Sequence, residues 1–247
     1  MPNLIPYNLF LKTISTSAIK ETLEKVFFLR RIFEANFQQS SKTNMMTNTD
    51  RSLAQLAEVV KMRLEESNII AKSDTNSSAG ENQRHIVWIT HSMGGLILKY
   101  LLLGDARFAK STRAIVFLGV PHFGSPISEE FQYLSRFAPL YCQELHPTWF
   151  KYSFCTLNER FTQLCLKHNI VILSMAETVE TPLPYVSKIL SSYKRHIVPP
   201  PFANLEYGVF FMLPDIDHQR ICYVSRPDDR ISLMKQLIKL STKKSVT

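Results

Sequence analysis

The chain has 247 residues, of which 45% are hydrophobic and 20% are charged. This composition is that of an ordinary globular protein and excludes disordered, collagen-like and low-complexity chains. The longest apolar runs are far shorter than the roughly 20 residues that a membrane-spanning helix needs, so no such helix is predicted. The length fits a single α/β domain.

The net charge is +8, from 29 basic and 21 acidic residues. A basic protein favours anionic partners, either nucleic acid or an anionic membrane surface. The basic residues are dispersed among acidic ones, and the sequence has no RNA-binding signature, zinc finger or basic stripe. We therefore predict no nucleic-acid binding and regard peripheral association with anionic membrane as compatible with the charge.

The four cysteines lie at positions 142, 155, 165 and 222, without the spacing of a metal site. A disulfide-stabilised protein is usually shorter and richer in cysteine. The sequence therefore predicts reduced thiols, no bound metal and no cofactor.

Residues 1–50 are interpreted as a divergent N-terminal segment that ends in a polar linker at 39–50. Its two apolar stretches, 4–11 and 26–33, fit either an amphipathic helix or a targeting segment. Transit peptides are poor in acidic residues, so Glu21, Glu24 and Glu34 count against targeting.

After the linker, Leu53, Leu56, Val60 and Leu64 recur at helical spacing and predict a helix of about 15 residues. Strands and helices then alternate, which favours βαβ units and a mostly parallel sheet with helices on both faces. The predicted strands are 85–89, 114–118, 170–173 and 208–213, and the predicted helices are 96–103, 161–166 and 231–240. We assign residues 51–242 to this α/β domain and 243–247 to a basic tail.

The segment 90–94, Thr-His-Ser-Met-Gly, lies between a predicted strand and a predicted helix. It is a variant of the G-x-S-x-G nucleophile elbow, in which a strained turn raises the serine above the sheet edge. Small residues are needed two positions before and after the serine; Gly94 meets that need and Thr90 meets it in part. We predict Ser92 as the nucleophile and the Met93 N–H as an oxyanion donor at the helix N-terminus.

Hydrolases with such an elbow order their catalytic residues as serine, acid and then histidine. Among the histidines, His196 and His218 come late enough, and His218 follows an apolar run at the start of a polar loop, which favours it as the base. Glu177 directly follows a predicted strand and is the favoured acid. Glu180 and Asp217 are its rivals.

A second loop, residues 121–125 with the sequence Pro-His-Phe-Gly-Ser, follows the strand that ends near Val120 and is expected at the same sheet edge. We predict His91, His122, Phe123 and Gly124 as substrate-binding residues. For His122, the alternative is that it only braces the loop.

With these residues, the chain resembles the serine active site-containing protein family, a lipase-like branch of the α/β hydrolases. The resemblance covers about residues 51–240, with matching stretches at 86–103, 114–125, 171–182 and 196–222. It implies an α/β-hydrolase fold with Ser92 as nucleophile, Glu177 as acid and His218 as base. It also implies phosphatidylglycerol remodelling and cholesterol handling where mitochondria meet the endoplasmic reticulum.

One departure from that family concerns the oxyanion hole. Family members carry an early strand and a His-Gly loop that supplies a second oxyanion amide, whereas this chain has no glycine before Gly80 and no histidine before His85. The resemblance therefore predicts an N-terminally truncated chain whose sheet is missing its first strands.

Two main hypotheses follow from the sequence. One is a hydrolase or acyltransferase acting on lipid esters; the alternative is a catalytically impaired remnant that binds lipid or a protein partner. A basic adaptor at the membrane surface is a third hypothesis, resting on charge alone.

Overall fold

A parallel β-sheet is the centre of the protein in the computed structural model. The structure describes residues 7–11, 31–34, 52–67, 85–130, 144–145, 147–182, 194–222, 232–237 and 239. The strands of the sheet are β1 (Tyr7–Leu11), β2 (Arg31–Glu34), β3 (His85–His91), β4 (Thr112–Leu118), β5 (Val171–Ala176) and, after two short strands described below, β8 (Val209–Met212). Their order is β2-β1-β3-β4-β5-β8, and every neighbouring pair is parallel.

The helices cover both faces of this sheet. In chain order they are α1 (Leu53–Glu66), α2 (Gly94–Gly104), α3 (Ala106–Ser111), α4 (Ile127–Glu130), α5 (Pro147–His168), α6 (Pro200–Ala203), a 3₁₀ helix (Arg220–Cys222) and α7 (residues 232–237). A separate antiparallel pair is formed by β6 (Thr181–Pro182) and β7 (Lys194–Arg195).

Alternate residues of the central strands enter two separate cores. Ile86 and Trp88 of β3 pack with α1, α2 and α5 on one face, whereas Val87 and Ile89 pack with the 3₁₀ helix and α7 on the other. Because both faces are covered, these strands are nearly continuous apolar runs rather than alternating ones. This arrangement confirms the predicted α/β class, with a parallel sheet and helices on both faces.

The N-terminal segment, for which no strands were expected, contributes two strands to the sheet. β1 lies directly beside β3, with Tyr7 opposite His85 and Leu11 opposite Ile89, and β2 pairs with the other edge of β1. A five-residue, mostly apolar segment does not distinguish a strand from a helical segment by itself. The central partner of β1, β3, is more than 70 residues away in the sequence, so no local pattern indicated this pairing.

The domain boundaries at residues 50 and 242 stay predictions, although β1 and β2 pair within the sheet of the α/β domain. The linker 39–50 and the basic tail 243–247 lie outside the described residues. In the part of the chain that the structure describes, no helix has the length and apolar character needed to cross a membrane.

Candidate active site

Ser92 occupies a strained turn between β3 and α2. Its φ is +53°, in the left-handed region that non-glycine residues rarely adopt, and its N–H donates to the Leu118 carbonyl of β4 at 2.9 Å. A close approach is seen at Gly95, where an added Cβ would lie 2.5 Å from a Val120 methyl group. The turn therefore has the backbone of a nucleophile elbow, held between β4 and α2.

His218 lies beside this serine. Its Nε2 is 3.0 Å from the Ser92 Oγ, and its Nδ1 is 2.7 Å from the Glu177 Oε2. Since a carboxylate only accepts hydrogen bonds, the Nδ1 carries the proton and the Nε2 is left to accept from the serine hydroxyl. The structure thus brings together the three residues that the sequence predicts. Ser92 and His218 are 126 positions apart in the chain.

Glu177 follows β5 and is fully buried. Its Oε1 accepts hydrogen bonds from the Ile197 N–H at 2.7 Å and the Val198 N–H at 3.1 Å. His196 lies nearby, with its Nδ1 3.7 Å from the same oxygen. Backbone donors and the His218 ring together satisfy a carboxylate that burial would otherwise make costly.

The two alternative candidates for the acid, Glu180 and Asp217, lie in different surroundings. Glu180 is exposed. The Asp217 Oδ1 accepts from the N–H groups of Gln219 and Arg220, which caps the turn that follows His218.

Two residues of the site, Gly119 and Thr181, were not predicted from the sequence. Gly119 has a φ of +54°, and a Cβ added there would lie 3.0 Å from the His218 Nδ1. The His218 N–H donates to the Thr181 Oγ1 at 3.0 Å. The glycine that ends a buried strand was the only available signal for the first residue, whereas the role of Thr181 depends on chain segments 37 residues apart.

Met93 begins the turn into α2 with helical φ and ψ. Its N–H has no acceptor among the described residues, as expected for a donor at the start of a helix. β1 ends at Leu11, which pairs with Ile89 of β3. Ile89 lies three residues before Ser92 in the sequence. The residues that follow β1 lie outside the described part of the chain, so the absence of a second oxyanion amide stays a prediction.

The predicted substrate-binding residues lie in different surroundings. His91 is half-buried, and its Nε2–H donates to the His218 carbonyl at 2.9 Å. Phe123 is half-buried, and Gly124 is buried with a φ of +87°. The side chain of His122 has no solvent exposure, which fits the bracing role better than the role of lining a cleft.

His122 belongs to a buried polar cluster with Lys99 and Asn158. The Lys99 Nζ lies 2.8 Å from the His122 Nδ1 and donates to the Asn158 Oδ1, and the Asn158 Nδ2 donates to the His122 carbonyl at 2.9 Å. These contacts connect the 121–125 loop to α2, the helix that follows Ser92, and to α5. The cluster therefore holds this loop at the sheet edge beside the serine turn.

Burial dominates the electrostatics of that cluster. It lowers the pKa of Lys99 well below its usual value, and a weaker interaction with Cys165 acts in the opposite direction. Burial also lowers the pKa of His122 well below its usual value, with the nearby Lys99 charge adding to the effect. The pKa of the adjacent Cys165 thiol is raised to about 12 by burial.

No group of three or more His, Cys, Asp or Glu side chains in the described ranges is arranged to hold a metal ion. The parallel sheet order, the helices on both faces and the strained serine turn define an α/β-hydrolase fold. Residues 24–181 match the family described as PGAP1-like alpha/beta domain. The chain belongs to this family.

Individual proteins extend this comparison. The chain is similar to Protein SERAC1 of Bos taurus, with 32% identity over 160 residues that cover 61% of this chain and 23% of that protein. Protein SERAC1 of Danio rerio is 33% identical over 159 residues, with the same coverages. The chain thus spans about a quarter of the length of these relatives.

Among solved structures, phospholipase PlaB from Legionella pneumophila in complex with thio-NAD superposes with a TM-score of 0.62 and 13% identity. The match covers 96% of this chain and 62% of that one. At this identity, the likeness shows the shared fold.

Proposed function

We propose that this chain is a serine hydrolase that acts on lipid esters. The observation that carries the proposal is the continuous hydrogen-bonded series from the Ser92 Oγ through the His218 imidazole to the Glu177 carboxylate, at 3.0 and 2.7 Å. Such a series activates a hydroxyl for attack on an acyl carbon.

Each residue has a role in the proposed reaction. The Ser92 Oγ attacks the ester carbonyl while the His218 Nε2 takes its proton, and His218 then returns that proton to the leaving alcohol. Glu177 orients the imidazole and stabilises its charged form. The Met93 N–H donates to the oxyanion.

The acyl-enzyme is then resolved either by water, which gives hydrolysis, or by a lysophospholipid, which gives acyl transfer. Both outcomes use the same serine, base and acid. The two reactions differ only in the acceptor that His218 deprotonates in the second step.

A phospholipid substrate is supported by one comparison, because a phospholipase shares the fold. Within this class, the family resemblance favours phosphatidylglycerol, in phospholipid remodelling and intracellular cholesterol handling. The same resemblance favours a location where mitochondria and the endoplasmic reticulum meet. The net charge of +8 supports peripheral binding to anionic membrane.

A second candidate function is binding of lipid or a partner without turnover. It is favoured by the lack of any glycine before Gly80, which leaves the Met93 N–H as the one oxyanion donor that the sequence identifies. The loss of one such donor typically costs about 10²–10³ in rate.

Labelling with a fluorophosphonate probe tests the proposal. The purified, folded chain is expected to be labelled at Ser92, Ser92→Ala is expected to remain unlabelled, and Ser67→Ala, which changes an exposed serine at the end of α1, is expected to label like the parent. Folded parent protein without Ser92-dependent labelling would contradict the hydrolase and favour the binding function.

Substrate class is tested with vesicles of phosphatidylglycerol and of phosphatidylcholine, with mass spectrometry of the released fatty acid and lysolipid. We expect Ser92-dependent release, faster from phosphatidylglycerol. Equal release from both lipids would contradict the headgroup preference and leave the lipid esterase intact.

A further inference from the structure

The backbone of His218 is anchored on both sides of its α-carbon. On one side, its N–H donates to the Thr181 Oγ1 at 3.0 Å. On the other side, its carbonyl accepts from the His91 Nε2 at 2.9 Å. The second anchor belongs to the residue that directly precedes Ser92 in the sequence, so one strand end carries the serine and also a contact to the backbone of its partner histidine.

The two imidazole rings are also in contact. Their centroids are 4.8 Å apart, with the ring planes tilted by 41°. Gly119 further limits the space around the His218 ring, because even one added carbon there would lie 3.0 Å from its Nδ1. The His218 ring is therefore confined as well as hydrogen-bonded.

The position of His218 relative to Ser92 affects the reaction rate because the two residues meet through a single hydrogen bond, from the Ser92 Oγ to the His218 Nε2. The loop that carries His218 follows the edge strand β8 of the described sheet, whereas Ser92 is fixed to the central strands by its N–H bond to Leu118. A displacement of about 1 Å between reacting groups can cost about 10²-fold in rate. A bond from β3 to this loop connects the His218 loop directly to the strand that carries Ser92.

We propose that His91 is a positioning residue whose Nε2–H holds the His218 loop over Ser92. This inference rests on the proposed function, and it gives His91 a role other than binding substrate. The role requires a hydrogen-bond donor and a side chain of suitable length, and it does not require a titrating ring.

Two substitutions separate these requirements. His91→Leu keeps the bulk and removes the donor, whereas His91→Gln keeps an N–H donor in an uncharged side chain. We expect His91→Leu to lower the fluorophosphonate labelling rate, and kcat for a short-chain p-nitrophenyl ester, about 10- to 100-fold, with KM changed less than about threefold. We expect His91→Gln to recover most of this loss.

Several outcomes distinguish this inference from the function on which it rests. Labelling of the parent that Ser92→Ala does not remove contradicts the hydrolase itself, and with it the role of His91. A parent with Ser92-dependent labelling contradicts only the His91 inference if His91→Leu labels at the parental rate or if His91→Gln is as slow as His91→Leu. A rise in KM at constant kcat also contradicts it, because that change is the one expected of a substrate-binding residue.

A second measurement does not depend on activity or on variants that fold. Long-range ¹H–¹⁵N NMR of the histidine rings reports which nitrogen carries the proton. We expect His91 in its neutral form to be protonated at Nε2. Protonation at Nδ1 with a bare Nε2 would remove the donor and overturn the inference.

Discussion

His218 and His122 both follow strands of the same parallel sheet, and each has a partner on its Nδ1. For His218 the partner is the Glu177 carboxylate at 2.7 Å, and for His122 it is the Lys99 Nζ at 2.8 Å. The carboxylate accepts, so His218 carries its proton on Nδ1 and presents a bare Nε2 to Ser92. The lysine nitrogen offers no such carboxylate acceptor, and the His122 Nε2 has no hydrogen-bond partner among the described residues.

This difference decides what each ring is able to do. A carboxylate next to an imidazole stabilises the positive charge that arises when the ring takes a proton. A buried lysine opposes that charge, and the pKa of His122 is lowered by burial and by Lys99. The same residue type is thus suited to proton transfer in one cluster and to a fixed, neutral structural role in the other.

The largest expected effect comes from removing the ring that faces the serine. His218→Ala eliminates the proton acceptor, and we expect the labelling rate to fall by about 10²–10⁴. The matched control is Gln219→Ala, which changes the exposed neighbouring side chain and is expected to label like the parent. Equal labelling of His218→Ala and the parent would show that His218, like His122, takes no part in proton transfer.

Changing the charge of the partner tests the comparison more directly. Glu177→Gln keeps the shape of the side chain and removes its charge, so we expect labelling to slow by about 10²-fold or more. Glu180→Gln makes the same change at the exposed rival carboxylate and is expected to have little effect. A reversed ranking of the two variants would assign the acid to Glu180.

The lysine cluster is expected to affect stability rather than proton transfer. Lys99→Met leaves the His122 Nδ1 and the Asn158 Oδ1 buried without their donor, so we expect the free energy of unfolding to fall by about 2 kcal/mol in urea titrations. Lys151→Met, at an exposed position of α5, serves as the control. Unchanged stability of Lys99→Met would mean that removing the cost of burying the Lys99 amine compensates fully for the hydrogen bonds that are lost.

The smallest expected effect is a pH dependence of stability. Because the pKa of His122 is lowered in the folded protein, the unfolded chain binds more protons below about pH 6.5, and stability falls as the pH decreases. The contribution reaches at most about 1.4 kcal/mol per pH unit. We expect His122→Asn, whose Oδ1 can accept from Lys99, to show a shallower decline between pH 7 and pH 5 in urea unfolding. Parallel declines would exclude His122 as the source.

Local patterns in the sequence account for much of the sheet. The apolar runs predict β3, β4, β5 and β8 to within a few residues. β3, β4 and β5 are apolar because both of their faces are covered, whereas Val209, Phe211 and Met212 of β8 are exposed. β1 is different, since its five residues form a strand by pairing with β2 on one side and β3 on the other. A strand that depends on a distant partner has no signal of its own.

Local patterns identify the candidates of the site: the serine turn from its strand–turn–helix pattern, and Glu177 and His218 from chain order and strand ends. The distances among them, the contact of His91 with His218, and the burial of His122 against Lys99 are visible only in the folded protein. A local pattern encodes backbone conformation and burial, whereas contacts between side chains far apart in the sequence depend on the register of the sheet and the packing of helices on it.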